Sequence, residues 1–191
     1  GFLIAAMNNM TVVGADIGNA FLYGITKEKV YVRAGPEFGP DVQGKRLLVV
    51  KSLYGLRTSA ARFHEHLTET LRKLGFVPSY ADADLWIKER NDHYEYIATY
   101  VDDIMIFSRE PMQYIKEFEK IYILKGVGAP EYYLGGYVEH LTDMWNFIDI
   151  NKALSARTYI VNVTQKLEQM MGYEFKQAKT PMADTYHPEL D

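Results

Sequence analysis

The sequence contains no cysteine, which excludes disulfide bonds and thiolate metal sites and is typical of a reducing compartment. Its apolar stretches are all shorter than the roughly 18 residues that a membrane span requires, so we expect no membrane partner. The five histidines show no spacing typical of metal ligands. A metal site in this chain would therefore be built from oxygen ligands.

Hydrophobic residues make up 48% of the 191 positions, which is enough for a well-packed core. This length and composition fit one globular domain, or one domain with part of a second. The chain begins with "GFLIAA" rather than with methionine, and this start is too short for a signal peptide and lacks its basic residues. We therefore expect a segment of a longer protein.

The net charge of −4 argues mildly against nucleic acid as a partner, but the charges are unevenly distributed. Residues 41–75 contain seven Lys or Arg against three acids, and residues 150–180 contain five against two. Residues 101–149 contain nine acids and four basic residues. Two basic segments around an acidic centre could follow a phosphate backbone past a metal site. Solvated helix faces explain the same distribution equally well.

Hydrophobic periodicity predicts an α+β fold in which hairpins join most strands and helices cover one face of the sheet. The clearest helix is 58–74, where Phe63, Leu67 and Leu71 recur at helical spacing. Thr58 or Ser59 can cap its start. We expect the apolar side of the last helix to face inward. The predicted strands are 11–16, 29–34, 46–51, 84–89, 94–101 and 103–108, followed by a second hairpin formed by 131–140 and 145–150. The other predicted helices are 3–9, 111–122 and 158–171.

The stretch "IATYVDDIMIF" (97–107) places Asp102 and Asp103 among apolar residues, where a carboxylate is costly unless something pairs with it. Asp16 ends another apolar strand, "TVVGA". If the two strands are neighbours, three carboxylates converge, and charges ~4 Å apart repel by about 4 kcal/mol at a dielectric of ~20. Carboxylates favour Mg²⁺, and two such ions could clamp the oxygens of a phosphoryl transfer. For the dipeptide alone, a solvated turn is the more ordinary explanation.

Five motifs, in order along the chain, resemble those of reverse transcriptases. "YVDD" (100–103) resembles the Y-x-D-D box, and "ADIGNAFLYG" (15–24) resembles the first catalytic box, in which an aromatic residue follows the Asp by five positions. "SLYGLRTSAARFHEHL" (52–67) resembles the next box. "KGVGAPEYYLGG" (125–136) resembles the lysine segment and primer-gripping hairpin, and "KTPM" (179–182) the segment after the thumb helix. Their order and spacing are similar to those of copia-type (pseudovirid) LTR retrotransposons.

The resemblance implies a reverse-transcriptase palm, which is an antiparallel sheet of ferredoxin-like (RRM-like) topology with helices on one face, plus a partial thumb. It implies a palm over residues 1–140, with the fingers largely missing. Residues 141–191 would hold the palm–thumb junction, the thumb helix and the start of the connection. Because only 15 residues precede Asp16, we expect a piece cut from a polyprotein.

The resemblance also assigns the chemistry. Asp16 and Asp102 would be the principal ligands of two Mg²⁺ ions, with Mn²⁺ as an alternative metal. Asp103 and the backbone of Ile17 would complete the site. Lys125 would protonate the leaving pyrophosphate or neutralise its charge. The reaction would add deoxynucleotides to a primer 3′-OH.

A nucleotide site is implied in the same way. Backbone N–H groups from Ile17 to Ala20 would face the triphosphate, and Phe21 would lie under the sugar and exclude a 2′-hydroxyl group. From the residues alone, Phe21 is equally well a core side chain. The residues assigned to this site are Gly18, Asn19, Ala20, Phe21, Tyr54 and Gly55.

Template and primer contacts complete the implied site. They are assigned to Arg57, Tyr100, Val101, Tyr133, Leu134 and Gly135. Arg57 would sit near the template, and the Leu134 hairpin would hold the primer end in position. Without the resemblance, "LGG" is simply a tight turn. The chain departs from the family pattern at Ala60, where the pattern has proline, and Arg62 is displaced by one position and receives no role.

We therefore expect an RNA-directed DNA polymerase fragment of a retrotransposon polyprotein, weakly active or inactive by itself. Its partners would be an RNA or DNA template–primer, deoxynucleoside triphosphates, and the fingers, RNase H and integrase domains. Its location would be cytoplasmic virus-like particles, with a nuclear stage. The alternative is a catalytically silent nucleic-acid-binding or scaffolding domain that keeps the palm fold. A nucleotide cyclase shares the topology, but its Gly-Gly-Asp/Glu-Glu/Asp-Phe turn is absent from the sequence.

Overall fold

The computed structural model describes residues 1–134, 136–139 and 153–175, and it confirms the α+β class. Two short 3-10 helices, Ala20–Tyr23 and Pro36–Phe38, follow the first two strands. No helix in these ranges is long and apolar enough to cross a bilayer. The elements in chain order are α1 (Phe2–Met7), β1 (Thr11–Ile17), β2 (Tyr31–Arg33), β3 (Arg46–Leu48), α2 (Ser59–Lys73), β4 (Val77–Pro78), β5 (Leu85–Glu89), β6 (Tyr94–Tyr100), β7 (Asp103–Ser108), α3 (Pro111–Glu119), β8 (Leu124–Gly128), β9 (Tyr132–Tyr133), β10 (Gly136–Glu139), β11 (Ala153–Ser155) and α4 (Arg157–Met171).

Six strands form one antiparallel sheet in the order β4-β5-β6-β7-β1-β8. Within it, β1 lies between β7 and β8, and α3 connects those two outer neighbours across it. The set β1, α2, β6, β7, α3 and β8 therefore has the ferredoxin-like arrangement expected of a palm. The remaining strands form two smaller sheets, β11-β10-β9 and β2-β3.

The main core lies between the six-stranded sheet and helices α2 and α3. Ile17 and alternate residues before it on β1 face this core, because successive strand residues point to opposite faces. Phe63 and Leu71 of α2 and Ile115 and Phe118 of α3 pack against them and are at most 1% exposed. Both helices thus bury one apolar side against the same face of the sheet, as predicted.

Helix α2 begins and ends close to its predicted bounds, but its start is held differently. Neither Thr58 nor Ser59 caps the helix with its side chain. Instead, the Ser59 hydroxyl group donates to the carbonyl oxygen of Leu53 at 2.6 Å, which ties the helix to the preceding loop. The helix ends before Gly75, whose φ of +86° is the left-handed conformation in which a glycine commonly terminates a helix.

On the opposite face of the sheet, the described residues include one covering helix, which lies at one end. The short helix α1 packs there, with Ala5 buried against Val12, Met105 and Phe107. It lies opposite the long helices because β1 and β7 carry apolar side chains on both faces at this end. The other end of the same face forms a cleft, described below.

Helix α4 matches its predicted bounds but not its predicted orientation. Ile160, Leu167 and Met170 are 59%, 44% and 75% exposed, so the expectation of an inward apolar side is wrong for the described structure. The helix packs against β10, and this small sheet is too short to cover fifteen helical residues. The predicted strand 145–150 and "KTPM" lie outside the described residues. The division at residue 140 therefore stays a prediction.

Candidate active site

Asp16 on β1 lies directly opposite Asp103 on β7 in the antiparallel ladder. On the outer sides of this pair, Tyr100 of β6 is opposite Asp103, and Lys125 of β8 is opposite Asp16. Directly opposed residues point to the same face, with Cα atoms about 4.5–5.5 Å apart. Tyr100, Asp103, Asp16 and Lys125 therefore form one row across four strands, which we call the acidic row.

The acidic row points away from the main core. Ile17 and Ile104, the next residues on β1 and β7, are buried beneath the helices, so strand alternation turns the two acids to the opposite face. There, Asp16, Asp103 and Lys125 line a cleft of about 680 Å³, together with residues 126–133. The sequence prediction that two strand ends bring distant acids together is thus realised by the sheet.

The turn between β6 and β7 is formed by Val101 and Asp102. Val101 has a φ of +54°, a left-handed conformation that strains a β-branched residue. The carbonyl oxygen of Asp102 accepts a hydrogen bond of 2.8 Å from the N–H group of Ile17. This bond joins the turn to the end of β1 and so keeps Asp102 beside the Asp16–Asp103 pair.

The surroundings of Asp103 oppose the ionisation of its carboxyl group. Its partial burial, followed by the negative charges of Asp102 and Asp16, raises the pKa of its carboxyl group above the ordinary value. All three acids are half-buried rather than fully solvated. The site therefore carries an excess of negative charge that a cation would relieve.

Asp16, Asp102 and Asp103 are the residues that could hold such a cation. Their oxygen atoms are hard ligands of the kind that Mg²⁺ prefers. Across the part of the chain that the structure describes, however, no group of three His, Cys, Asp or Glu side chains is placed to hold a metal ion. The three acids fit the donor chemistry of a Mg²⁺ site without forming a closed one, so other oxygen atoms would have to complete the coordination.

The backbone after Asp16 bears on the prediction that the N–H groups from Ile17 to Ala20 face a triphosphate. The N–H group of Ile17 donates to Asp102, and that of Gly18 donates to the carbonyl oxygen of Ile123 at 2.8 Å. These two N–H groups are therefore engaged within the fold and do not face a triphosphate, which corrects that part of the expectation. The prediction remains for Asn19, which has a left-handed φ of +55°, and for Ala20, which is buried.

Gly18 also makes room for the lysine of the acidic row. A Cβ atom at this position would lie 3.0 Å from Cε and 3.5 Å from Nζ of Lys125, and 3.3 Å from the Ile123 carbonyl oxygen. The Lys125 side chain therefore lies across the backbone of Gly18, at the end of β1. This contact brings the ammonium group to the segment that follows Asp16, and the role of Lys125 stays a prediction.

Two residues of the predicted nucleotide site are in contact. The ring of Phe21 lies 4.7 Å from the ring of Tyr54, centroid to centroid, and 6.5 Å from that of Phe63. Phe21 is half-buried and Tyr54 is 62% exposed, so the pair joins the core to the surface. The neighbouring Gly55 has a φ of +92°, which favours glycine.

The primer-side residues lie near the acidic row. Tyr133 lines the same cleft as Asp103, and Leu134, with a φ of +46°, lines a second cavity that Asp103, Tyr133 and Tyr100 share. Burial first, and then the charges of Asp103 and two further aspartates, raise the pKa of Tyr133, so its phenol stays protonated. Gly135 lies outside the described residues. Arg57 is exposed in the loop before α2 and makes none of the side-chain hydrogen bonds found in the described ranges.

Two residues that support the site, Asp84 and Gly24, were not among the predicted site residues. The carbonyl oxygen of Asp84 accepts a hydrogen bond of 2.9 Å from the N–H group of Thr99, close to the Val101–Asp102 turn. The carboxylate of Asp84 lies 3.1 Å from Nε2 of His64 on α2. At Gly24, a Cβ atom would lie 2.9 Å from the backbone of Arg62, so only glycine allows this close approach to α2. The glycine of "FLYG" was a possible signal, whereas nothing local distinguishes Asp84.

Comparisons with known proteins agree with this geometry. Residues 2–183 match the model of a family described as reverse transcriptase (RNA-dependent DNA polymerase). A Saccharomyces cerevisiae protein named "Putative transposon Ty5-1 protein" is 28% identical over 89% of this chain and 54% of its own length. The retrovirus-related Pol polyproteins from transposons RE1 of Arabidopsis thaliana and TNT 1-94 of Nicotiana tabacum are each 27% identical, over 88% and 94% of this chain.

The chain spans about half of the Ty5-1 protein and only 11% and 13% of the two Pol polyproteins. The motifs, the palm topology, the opposed acids and the family match over nearly the whole chain all point to one assignment. This chain belongs to the reverse transcriptase (RNA-dependent DNA polymerase) family.

Proposed function

We propose that this chain forms the nucleotidyl-transfer palm of an RNA-directed DNA polymerase from a retrotransposon polyprotein. The observation that carries the proposal is the direct opposition of Asp16 and Asp103 on neighbouring strands. Two acids so far apart in sequence meet only because the sheet pairs β1 with β7. They meet on the face of the sheet opposite α2 and α3, in a cleft of about 680 Å³ that a large polyanionic substrate would enter.

The acidic row divides the chemistry between its members. Two bound Mg²⁺ ions, or Mn²⁺ in their place, would supply charge neutralisation at the attacking and leaving oxygen atoms. Asp16 and Asp102 are the proposed principal ligands, with Asp103 and the backbone of Ile17 as further ligands. Lys125, whose side chain lies across Gly18, would protonate the leaving pyrophosphate or neutralise its charge.

The Phe21–Tyr54 contact supports a sugar-binding role. With its ring held by Tyr54, Phe21 would exclude a 2′-hydroxyl group from the incoming nucleotide, so the product would be DNA. Tyr54 and Gly55 would line the nucleotide, with Asn19 and Ala20 near the triphosphate. The exposure of Tyr54 leaves part of its ring available to a ligand.

The remaining predicted contacts serve positioning. Tyr100 and Val101 at the turn, Tyr133 and Leu134 at the β9–β10 hairpin, and Arg57 would contact the template–primer. The proposed partners are an RNA or DNA template–primer, deoxynucleoside triphosphates, and the fingers, RNase H and integrase domains of the same polyprotein. The proposed location is cytoplasmic virus-like particles, with a nuclear stage.

Primer extension on an RNA template tests the proposal, with this chain carried in a polymerase that includes the fingers. Asp16→Asn and Asp103→Asn should each abolish extension, because each removes a metal-binding charge. Asp41→Asn, an identical change at an exposed acid in the loop between β2 and β3, should leave extension unchanged. Full extension by the Asp16→Asn enzyme would refute the mechanism.

The open arrangement of the acids favours one competing function, a silent nucleic-acid-binding or scaffolding palm. Titration of the 191-residue chain with Mn²⁺, followed by electron paramagnetic resonance, separates the two. The polymerase proposal expects Mn²⁺ binding that Asp16→Asn weakens and Asp41→Asn does not. Binding that is absent, or equal in all three proteins, would favour the scaffold.

A further inference from the structure

The β2–β3 hairpin exposes a face of unusual composition, and no role is assigned above to the residues of this face. Tyr31 is opposite Leu48, and Arg33 is opposite Arg46. Positions two apart on a strand share a side, so all four residues point the same way. Tyr31 and Leu48 are 49% and 52% exposed, and both arginines are exposed. We call these four residues the hairpin face.

The two arginines of the hairpin face repel each other. Like charges directly opposite in an antiparallel ladder destabilise the pairing. Among the described residues, neither Arg33 nor Arg46 belongs to an ion pair with an acidic side chain. The hairpin therefore holds two uncompensated guanidinium groups side by side, and an anion bound between them would remove the cost.

One of these arginines also lies over an aromatic ring of the same face. The guanidinium carbon of Arg46 lies 4.7 Å from the centroid of the Tyr31 ring. Stacking on an aromatic ring leaves the donor edge of a guanidinium group free for a phosphate. The hairpin face thus combines a stacking surface with a phosphate-binding fork.

The segment around the hairpin face carries a modest excess of positive charge. Residues 27–51 contain six Lys or Arg against three acids, in a chain whose net charge is −4. Two of the six are the arginines of the hairpin face, and Lys27 is paired with Glu65 at 3.0 Å. Most of the excess therefore comes from the two arginines, and an exposed pair of this kind fits an anionic ligand better than an apolar protein surface.

We propose that the hairpin face binds single-stranded nucleic acid, with a backbone phosphate between Arg33 and Arg46 and a base stacked on the Tyr31–Arg46 pair. The site is separate from the acidic row, and the proposal rests on the proposed function only in taking nucleic acid as the ligand. Stacking requires an unpaired base and accepts any base, so the site favours single strands without sequence preference.

Fluorescence anisotropy tests the proposal with the 191-residue chain and labelled single-stranded RNA, single-stranded DNA and duplex, each of about 12 nucleotides. Tyr31→Ala should weaken single-strand binding about fivefold or more, whereas Tyr31→Phe should not. Arg33→Gln with Arg46→Gln should reduce the slope of log affinity against log salt by about 0.7, since the two arginines share one phosphate and each phosphate contact contributes about 0.7.

The matched control removes the same charge elsewhere. Arg72→Gln with Lys73→Gln, at the exposed end of α2, should change the affinity less than twofold. Chemical-shift mapping should place the largest changes on the hairpin face when the oligonucleotide is added. Circular dichroism checks that each variant keeps its fold, and the salt dependence of the Arg33→Gln, Arg46→Gln double variant still tests the site if the Tyr31→Ala variant unfolds.

Several results would overturn the inference. These are no single-strand binding, equal affinity for duplex, an unchanged affinity in Tyr31→Ala, or an equal loss in the α2 control. Hairpin variants that alter self-association in sedimentation but not oligonucleotide binding would instead identify a protein interface. Asp103→Asn separates this site from the acidic row, because it should abolish primer extension and leave anisotropy unchanged. Binding to RNA alone, to DNA alone or to both would each support the site and would show which kind of nucleic acid it binds.

Discussion

The carboxylate of Glu95 lies 2.6 Å from Nε of Arg90, at the end of the β5–β6 hairpin opposite the acidic row. The same carboxylate accepts hydrogen bonds from the hydroxyl groups of Ser108, at 2.5 Å, and Tyr114. Glu95 is only 2% exposed, so one buried charge joins β6, β7 and α3. This cluster fixes the ends of β6 and β7 that lie away from the Val101–Asp102 turn.

Replacement of this buried charge should destabilise the fold. Glu95→Gln keeps the side-chain shape but weakens three charge-assisted hydrogen bonds, and we expect a loss of about 1.5–3 kcal/mol in the free energy of unfolding. Urea denaturation at neutral pH measures this loss. Glu89→Gln, the same change at an exposed position of the same hairpin, should change stability little. Equal stability of the two variants would contradict the bracing role.

The same residue should make stability depend on pH. Burial acts to raise the pKa of Glu95, but the hydrogen bonds from Ser108, Tyr114 and Arg90 outweigh it and lower the pKa below the ordinary 4.5. An acid with a lowered pKa stabilises the fold above its unfolded pKa, and this stability is lost as pH falls through the folded value. Acid titration of unfolding should therefore be less steep below pH 4.5 in Glu95→Gln than in the wild type.

Asp103 should make stability depend on pH in the opposite direction to Glu95. Because burial and the charges of Asp102 and Asp16 raise the pKa of Asp103, the folded chain loses stability as pH rises from 3.8 through the raised value. Asp103→Asn should therefore melt at a higher temperature than the wild type at neutral pH without divalent cations. Asp41→Asn is the matched control and should not. A lower melting temperature for Asp103→Asn would contradict the repulsion described above.

The strained turn residue Val101 gives another prediction about stability. Asparagine tolerates the left-handed conformation that Val101 adopts, so Val101→Asn should stabilise the fold by about 1 kcal/mol. Val127→Asn, the same change at an exposed position of β8, should be neutral or destabilising because asparagine disfavours strands. Thermal unfolding of the two proteins compares them directly. A destabilised Val101→Asn chain would show that the turn is not strained.

The contact between Gly24 and α2 predicts a large effect from one methyl group. Gly24→Ala would place a Cβ atom 2.9 Å from the backbone of Arg62, and the helix would have to shift. Overpacking of this kind costs about 1–3 kcal/mol. Gly128→Ala, where a Cβ atom meets nothing within 4 Å, should be tolerated. Similar unfolding midpoints for the two variants would rule out the close packing.

Local sequence patterns predicted the helices and strands whose hydrophobic residues recur at a regular spacing. The spacing of Phe63, Leu67 and Leu71 predicted α2, and the alternation in "YEYIATYV" predicted β6. Strand β8 was not predicted, because "LKGVG" contains two glycines and strands disfavour them. It forms because β1 offers an edge for pairing, which no local window can reveal.

The candidate site shows the same limit. Periodicity predicts which side of β1 Asp16 occupies, but the partner strand depends on long-range pairing, so the convergence of the acids was conditional until the sheet was known. The N–H groups of Ile17 and Gly18 were assigned to a triphosphate because their engagement by Asp102 and Ile123 is invisible in the sequence. Asp84 was missed for the same reason.

The acidic row crosses four strands at a single level, and this makes it sensitive to length changes in any of them. Insertion or deletion of one residue within β1 or β7 would exchange the two sides of that strand beyond the change. An aspartate would then be driven into the hydrophobic interior and an isoleucine into the cleft. A one-residue insertion or deletion in β1 or β7 should therefore prevent folding, whatever chemistry the cleft performs.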